Sequence, residues 1–346
     1  MKKVIAMITA AVFAIGCLTA CGSVQNAPEA AGSSGGEVQA NAADVSGDGI
    51  SIVTTIFPEY DWVREVMGDN PANADVTMLL DKGVDMHSFQ PSAQDIMKIA
   101  NCDLFIYVGG ESDEWVEDAL KEAVNEDMVV INLLDALGEN AKEEEIVEGM
   151  EAEEEHEHGE EEHGEEEAEY DEHVWLSLKN ADTLVNVIAD AMETVDPENA
   201  DTYAANAAAY TEQIKALDAS YAEAVTNAGT KTVLFGDRFP FRYLTDDYGL
   251  SYYAAFAGCS AETEASFETV IFLAEKVDAE NLSAILTIEG SDQKIAQTIN
   301  ENTTTKDHQI LCMNSMQSTT SQDVEAGATY LSIMNENLEV LKQALQ

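Results

Sequence analysis

From Pro197 to Asn227 the chain runs without a second proline and without any glycine. Asp196 is a good N-cap and Pro197 suits a first helical position. Behind them, alanines, Leu217 and several tyrosines are spaced for one face, which predicts a single helix of about thirty residues, roughly 45 Å long at 1.5 Å per residue. That is too long for an ordinary crossover between neighbouring strands. Its natural use is a rigid strut over residues 196–228, with one lobe on either side.

Both flanks alternate strand and helix. Before the strut, 51–56, 74–80, 104–108 and 128–132 read as strands, and 60–67, 92–100, 114–124 and 180–193 as helices. After it, 232–235 and 283–288 read as strands, and 267–281, 293–302 and 327–345 as helices. This order predicts an α/β protein of two lobes, residues 50–195 and 229–346, each a mostly parallel sheet flanked by helices and joined by one long rigid helix.

The charge balance is extreme: 67 acids face 16 bases, a formal charge of -51. Such a chain repels nucleic acid and anionic surfaces and concentrates cations, so no nucleic-acid partner is expected. Residues 143–172 hold 18 of the acids together with His156, His158 and His163. That stretch is expected to be a disordered acidic loop inserted in the first lobe, either holding metal loosely at high effective concentration or solvated with no role of its own.

The N-terminus reads differently. Lys2 and Lys3 precede an apolar run to Ile15, the layout of a secretory signal peptide over residues 1–20. Leu18-Thr19-Ala20-Cys21 resembles a bacterial lipobox, in which the cysteine becomes the acylated N-terminus. Residues 21–49, rich in Gly, Ser, Ala and Asn, read as a flexible tether. Cleavage removes two lysines and no acid, taking the formal charge from -51 to about -53. Cys102, Cys259 and Cys312 lack the spacing of a disulfide framework or a zinc knuckle and read as small buried apolar residues.

Two histidines stand in loops. His87 lies in Gly83-Val84-Asp85-Met86-His87-Ser88-Phe89, after a strand; His173 lies in Asp171-Glu172-His173-Val174-Trp175-Leu176, after the acidic run. In open α/β sheets ligands bind beyond the carboxyl ends of strands, and neutral imidazole suits zinc and related ions. A lone loop histidine is more often a surface residue, so the surrounding motifs decide the matter.

Those motifs resemble the Gly-Val-Asp-Pro-His-Ser-Phe and Asp-Pro-His-Val-Trp-Leu stretches of the zinc and manganese substrate-binding proteins of ABC transporters, the metal-binding cluster A-I family. The acidic His-containing insertion, the strut and the tail Ala328-Thr329-Tyr330-Leu331 with Asn337 and Leu338 extend the resemblance over roughly residues 50–346. Met86 and Glu172 replace the family's usual prolines. The resemblance implies that His87 and His173 are metal ligands and that a third ligand, usually His or Glu, comes from the second lobe. An ungapped count puts Arg238 there, which cannot bind a cation, so the adjacent Asp237 is the expected replacement. A salt bridge from Asp237 to Arg238 or Arg242 is the structural alternative. For the fourth ligand the family position falls at Asn314, a weak donor; Glu289 is the rival and Glu264 a weaker one. His308 is expected to be a surface residue.

The resemblance further implies Zn2+ as cargo, with Mn2+ as the alternative. The partners would be a permease and its ATPase, and the location the extracytoplasmic face of the cell membrane, held to the lipid bilayer through Cys21. The receptor is expected to be a monomer. The His-bearing loop favours zinc, whereas a more oxygen-rich shell would favour manganese. No His-Glu-x-x-His pair, Gly-x-Ser-x-Gly elbow or phosphate loop accompanies these residues, so a binding protein is expected and not an enzyme. A surface adhesin or a metal-buffering lipoprotein without a transport role is the alternative.

Overall fold

The computed structural model describes residues 49–69, 74–151, 169–260 and 264–346. The expected signal peptide, nearly all of the tether, Cys21, His156, His158 and His163 lie outside the described residues.

Each lobe is built on a four-stranded parallel sheet. The first contains β1 (Ser51–Thr54), β2 (Asp75–Met78), β3 (Leu104–Tyr107) and β4 (Val129–Asn132), in the order β2-β1-β3-β4. The second contains β5 (Thr232–Phe239), β6 (Ser251–Ala257), β7 (Ala284–Ile288) and β8 (Gln309–Met313), in the order β6-β5-β7-β8. The two orders are the same, so the chain repeats one topology on either side of the strut. Strands buried on both faces by helices read as near-continuous apolar runs, as in Ala284–Ile288, where every residue is buried and only Thr287 is polar.

The strut is a helix from Ala200 to Thr226, preceded by a 3-10 turn at Pro197–Asn199. Tyr203, Ala207, Tyr210, Ile214, Leu217, Tyr221 and Val225 form its buried face. Full burial of one large apolar side chain stabilises by about 1.5–3 kcal/mol, so this face anchors the helix along its length. Tyr221 donates its hydroxyl to the Met334 carbonyl (2.6 Å) in the C-terminal helix Tyr330–Ala344, and Asn206 donates to Val66 O (3.0 Å) in the helix Phe57–Met67. Side chains from both lobes and the strut share one continuous core.

The acidic stretch departs from expectation at its ends. Glu143 pairs with Tyr170 in an antiparallel bridge, and Glu151 runs parallel to Phe256 at the open edge of β6. Met150 is buried in the shared core and Val147 packs against it. Arg242 pairs with Glu145, and Lys276 with Glu148 at 3.2 Å. Residues 143–151 and 169–172 are therefore fixed to the second lobe. Two apolar residues among the acids supply the burial, and the free edge of β6 supplies the pairing. Within the acidic stretch, 152–168 lies outside the described residues.

Candidate metal centre

His87 is carried on the 3-10 turn Met86–Ser88 that follows β2. Asp85 caps this turn by accepting from the His87 N–H (3.1 Å). Its other carboxylate oxygen pairs with Arg238 of the second lobe. Burial alone would raise the Asp85 pKa, but the Arg238 hydrogen bond and charge, with His87, hold it below the usual carboxylate range.

His173 opens the turn Val174–Leu176 and is completely buried. Asp171 Oδ1 accepts from its backbone N–H (2.9 Å) and its ring Nδ1 (3.0 Å). The carboxylate thereby keeps the proton on Nδ1 and leaves the Nε2 lone pair facing inward. From the second lobe, Tyr243 donates its hydroxyl to the Asp171 carbonyl (2.8 Å). Trp175 donates to Ser315 O (2.8 Å) across the lobe boundary.

His87 is oriented by a separate relay. Ser112 donates its hydroxyl to Glu172 Oε2 (2.6 Å) and its backbone N–H to Oε1 (2.8 Å). The Ser112 oxygen, 2.8 Å from His87 Nδ1, is then free to accept the ring proton, and Glu172 Oε2 stands 3.3 Å from the same nitrogen. Burial would push Glu172 up; the His87 hydrogen bond and charge, with the two Ser112 bonds, outweigh it and hold the carboxyl below its usual range. Glu172, which replaces the expected proline, thus couples the two histidine loops instead of loosening them.

Both relays point the same way. His87 Nε2 and His173 Nε2 lie 3.3 Å apart, and the buried Gln317 amide nitrogen contacts both, at 3.1 Å from His87. Two acceptor lone pairs that close need an electrophile between them. Zinc bonds imidazole nitrogen at about 2.0–2.1 Å, so two nitrogens on one tetrahedral zinc stand about 3.3–3.4 Å apart. An amide turned about its terminal bond would present Gln317 oxygen in place of nitrogen. Cys259 joins the pair: its Sγ and one ligand nitrogen of each histidine lie within 4.8 Å of one another, the one such cluster of three or more potential ligands among the described residues.

The expected second-lobe carboxylates are placed differently. Asp237 Oδ1 accepts from Arg238 N (2.9 Å) and Oδ2 from Ile288 N (3.4 Å). Both oxygens of Glu289 are taken by Ser315, through its N–H (2.6 Å) and its hydroxyl (2.7 Å). Asp237 and Glu289 line a cavity of about 750 Å³ together with His87, Arg238 and Cys259, but neither belongs to the His87–His173–Cys259 cluster. Asn314 accepts from Met316 N (2.8 Å), Glu264 is exposed, and His308 is bonded to Leu282 O and Thr305. Of the three cysteines, only Cys102 is fully buried; Cys312 is exposed and Cys259 borders the histidines.

A second cavity, about 330 Å³, opens beside His87 and Cys259 and is lined by Glu111, Glu114, Glu144 and Glu172. Cations approaching along it meet a continuous negative wall.

Two parallel-sheet lobes braced by one helix, with paired imidazoles where the lobes meet, define a two-lobed α/β protein with a candidate metal site. The profile of the zinc-uptake complex component A, periplasmic (ZnuA), matches residues 52–344, and the chain belongs to this family. It is 34% identical over 294 residues to the zinc-binding lipoprotein AdcA of Streptococcus pneumoniae, covering 85% of this chain and 55% of AdcA. The chain thus spans about half the length of the first curated relatives it matches. Against the high-affinity zinc uptake system protein ZnuA of Bacillus subtilis, identity is 31% over 304 residues, covering 88% of this chain and 90% of that one. Among solved structures, the Zn(II)-bound ZnuA-like domain of S. pneumoniae AdcA aligns with a TM-score of 0.66 at 30% identity, covering 86% of this chain and 99% of that one. The laminin-binding protein Lmb of Streptococcus agalactiae, described as bifunctional with adhesin and metal transporting activity, aligns at 0.68 and 25% identity, covering 86% of this chain and all of that one.

Proposed function

We propose that this chain is the extracytoplasmic solute-binding protein of an ABC importer. It captures Zn2+ between its lobes and delivers the ion to a membrane permease driven by an ATPase. The reading rests on one observation above the others: two imidazole Nε2 atoms 3.3 Å apart, each with its opposite nitrogen held by a buried hydrogen-bond relay. Relatives named for zinc binding and zinc uptake support zinc over manganese as the cargo. His87 and His173 are the ligands of this reading. Asp237 and Glu289 serve it from the wall of the adjoining cavity, and His156, His158 and His163 collect loosely held metal ahead of it.

In this reading the chain binds its cargo and hands it on unchanged, as expected of a solute-binding protein and not of an enzyme. Membrane attachment through acylated Cys21 is part of the proposal and is supported by relatives named lipoproteins; among the described residues no helix is long and apolar enough to cross a membrane. The protein acts as a monomer in this scheme. The likeness to Lmb favours an adhesin role as the second reading.

Metal analysis of the protein purified without chelator, with competitive zinc titration of wild type and His87→Ala, tests the receptor reading. One tightly held zinc per chain, lost in the variant, is the expected result. Unchanged affinity in His87→Ala removes the reading. Saturable laminin binding by the metal-free protein would support the adhesin role.

A further inference from the structure

We infer that Cys259, as a thiolate, is the charged ligand that the second lobe contributes to the metal. The inference rests on the receptor reading above and names the donor that reading lacks. Three observations carry it. First, Cys259 Sγ belongs to the same tight group as the His87 and His173 nitrogens, whereas Asp237 and Glu289 do not. Second, the residue before it is built for approach to the ring: a Cβ on Gly258 would stand 2.8 Å from His173 Cε1 and 2.9 Å from Phe239 O. Any side chain at 258 would push the Cys259 loop away from the imidazole. Third, the two lobes repeat one strand order, and Cys259 follows β6 as His87 follows β2, the corresponding edge strands. Near the end of β5 stands Arg238, which is paired to Asp85 and offers no donor to a cation.

Two imidazoles, one thiolate and the Gln317 amide oxygen make a four-donor set. Zinc accepts such a set in tetrahedral geometry, with a Zn–S bond of about 2.3 Å. On binding, the Zn–S bond forms as the S–H bond breaks, and the proton leaves to water. A sulfur donor favours Zn2+ and disfavours Mn2+, which prefers carboxylate and carbonyl oxygen. The thiolate therefore sets the metal preference of a site whose second lobe offers no histidine.

Cobalt(II) substitution tests this directly. The wild-type Co2+ complex is expected to show a sulfur-to-cobalt charge-transfer band in the near ultraviolet. Cys259→Ser should lose the band and weaken zinc binding by more than the roughly 10–100-fold that loss of an outer-shell partner costs. Cys102→Ser and Cys312→Ser should keep it. On the unmodified protein, zinc should protect Cys259, and not Cys312, from alkylation by iodoacetamide. A Co2+ complex without the band, or a band that persists in Cys259→Ser, overturns the inference. Should His87→Ala still abolish zinc binding in that case, the receptor reading stands and only the thiolate ligand falls. Unchanged zinc affinity in both His87→Ala and Cys259→Ser would sink both.

Discussion

The two lobes share a strand order and differ in how they present donors to the cleft. In the first lobe each imidazole is aimed by a carboxylate relay, Asp171 behind His173 and Glu172 with Ser112 behind His87. In the second lobe the carboxylates at the strand ends are spent on their own framework, Asp237 on Arg238 and Ile288, Glu289 on Ser315. Repeated topology brings equivalent loops to the cleft, but it does not make them equivalent ligands. What differs is where each donor is held: Asp237 and Glu289 are tied to their own framework, outside the His87–His173–Cys259 cluster. In the proposed reading the first lobe is a preformed half-site. The second supplies closure through Trp175–Ser315 and Arg238–Asp85, with Gln317 and Cys259 reaching across.

That contrast is broken most severely at the first lobe. His173→Ala should abolish tight zinc binding, a loss larger than about 100-fold, because it removes a ligand from a preformed pair. A chelator competition showing less than tenfold loss would place the half-site elsewhere. Glu172→Ala should come next, weakening zinc by roughly 10–100-fold by releasing the His87 ring. Restoration by Glu172→Gln, which can still accept from Ser112, would identify the loss as one of orientation; no loss in the alanine variant would show that Ser112 alone suffices.

The seam between the halves gives a third effect. Asp61, at the first lobe, accepts from the Tyr330 N–H (2.8 Å) of the C-terminal helix, and burial above all raises its pKa to about 6. Burial also raises Asp113 to about 7, and Glu59 well above its usual value. A carboxyl whose folded pKa exceeds its unfolded one adds stability below the unfolded value and loses it as pH rises through the folded one. Asp61→Asn should therefore gain on wild type between pH 5 and pH 8, by on the order of 1–3 kcal/mol at the upper end. Denaturant melts at the two pH values check this; a gap that does not grow with pH would show that Asp61 is charged at no cost.

Asp237→Ala and Glu289→Ala are expected to do little to zinc affinity, less than about tenfold, in line with donors that shape the wall and do not touch the ion. A loss matching that of His173→Ala would restore them as ligands. Smallest of all, deletion of residues 152–168 should leave the tight site unchanged and remove weaker additional sites. The ordered flank 143–151 must be kept, since Met150 and Val147 pack in the core. Loss of the tight site on this deletion, read by isothermal titration, would mean that the acidic loop completes it.

Much of this was legible in the sequence, for identifiable reasons. The strut announced itself by the absence of Gly and Pro, and Ala284–Ile288 by an apolar run broken only at Thr287. His87 and His173 were visible because their loop motifs are local. β6 escaped notice because Ser251–Ala257 mixes tyrosines with alanines and carries no β-branched residue. β8 escaped because Gln309–Met313 lies among polar turns and only Ile310 in it is β-branched. Gln317 and Cys259 could not be read as site residues at all. Gln317 meets His87 across 230 positions of chain, and Cys259 owes its place to the pairing of β6. The ordered part of the acidic stretch was hidden by composition, since two apolar side chains among many glutamates carry little weight in a count but enough to bury.

The most direct test of the central claim is zinc K-edge X-ray absorption on the zinc-loaded protein. The account predicts outer-shell scattering from two imidazoles bound to one zinc, falling to one imidazole in His173→Ala at whatever occupancy remains. A spectrum of oxygen donors with no imidazole, or a single imidazole already in wild type, would contradict it.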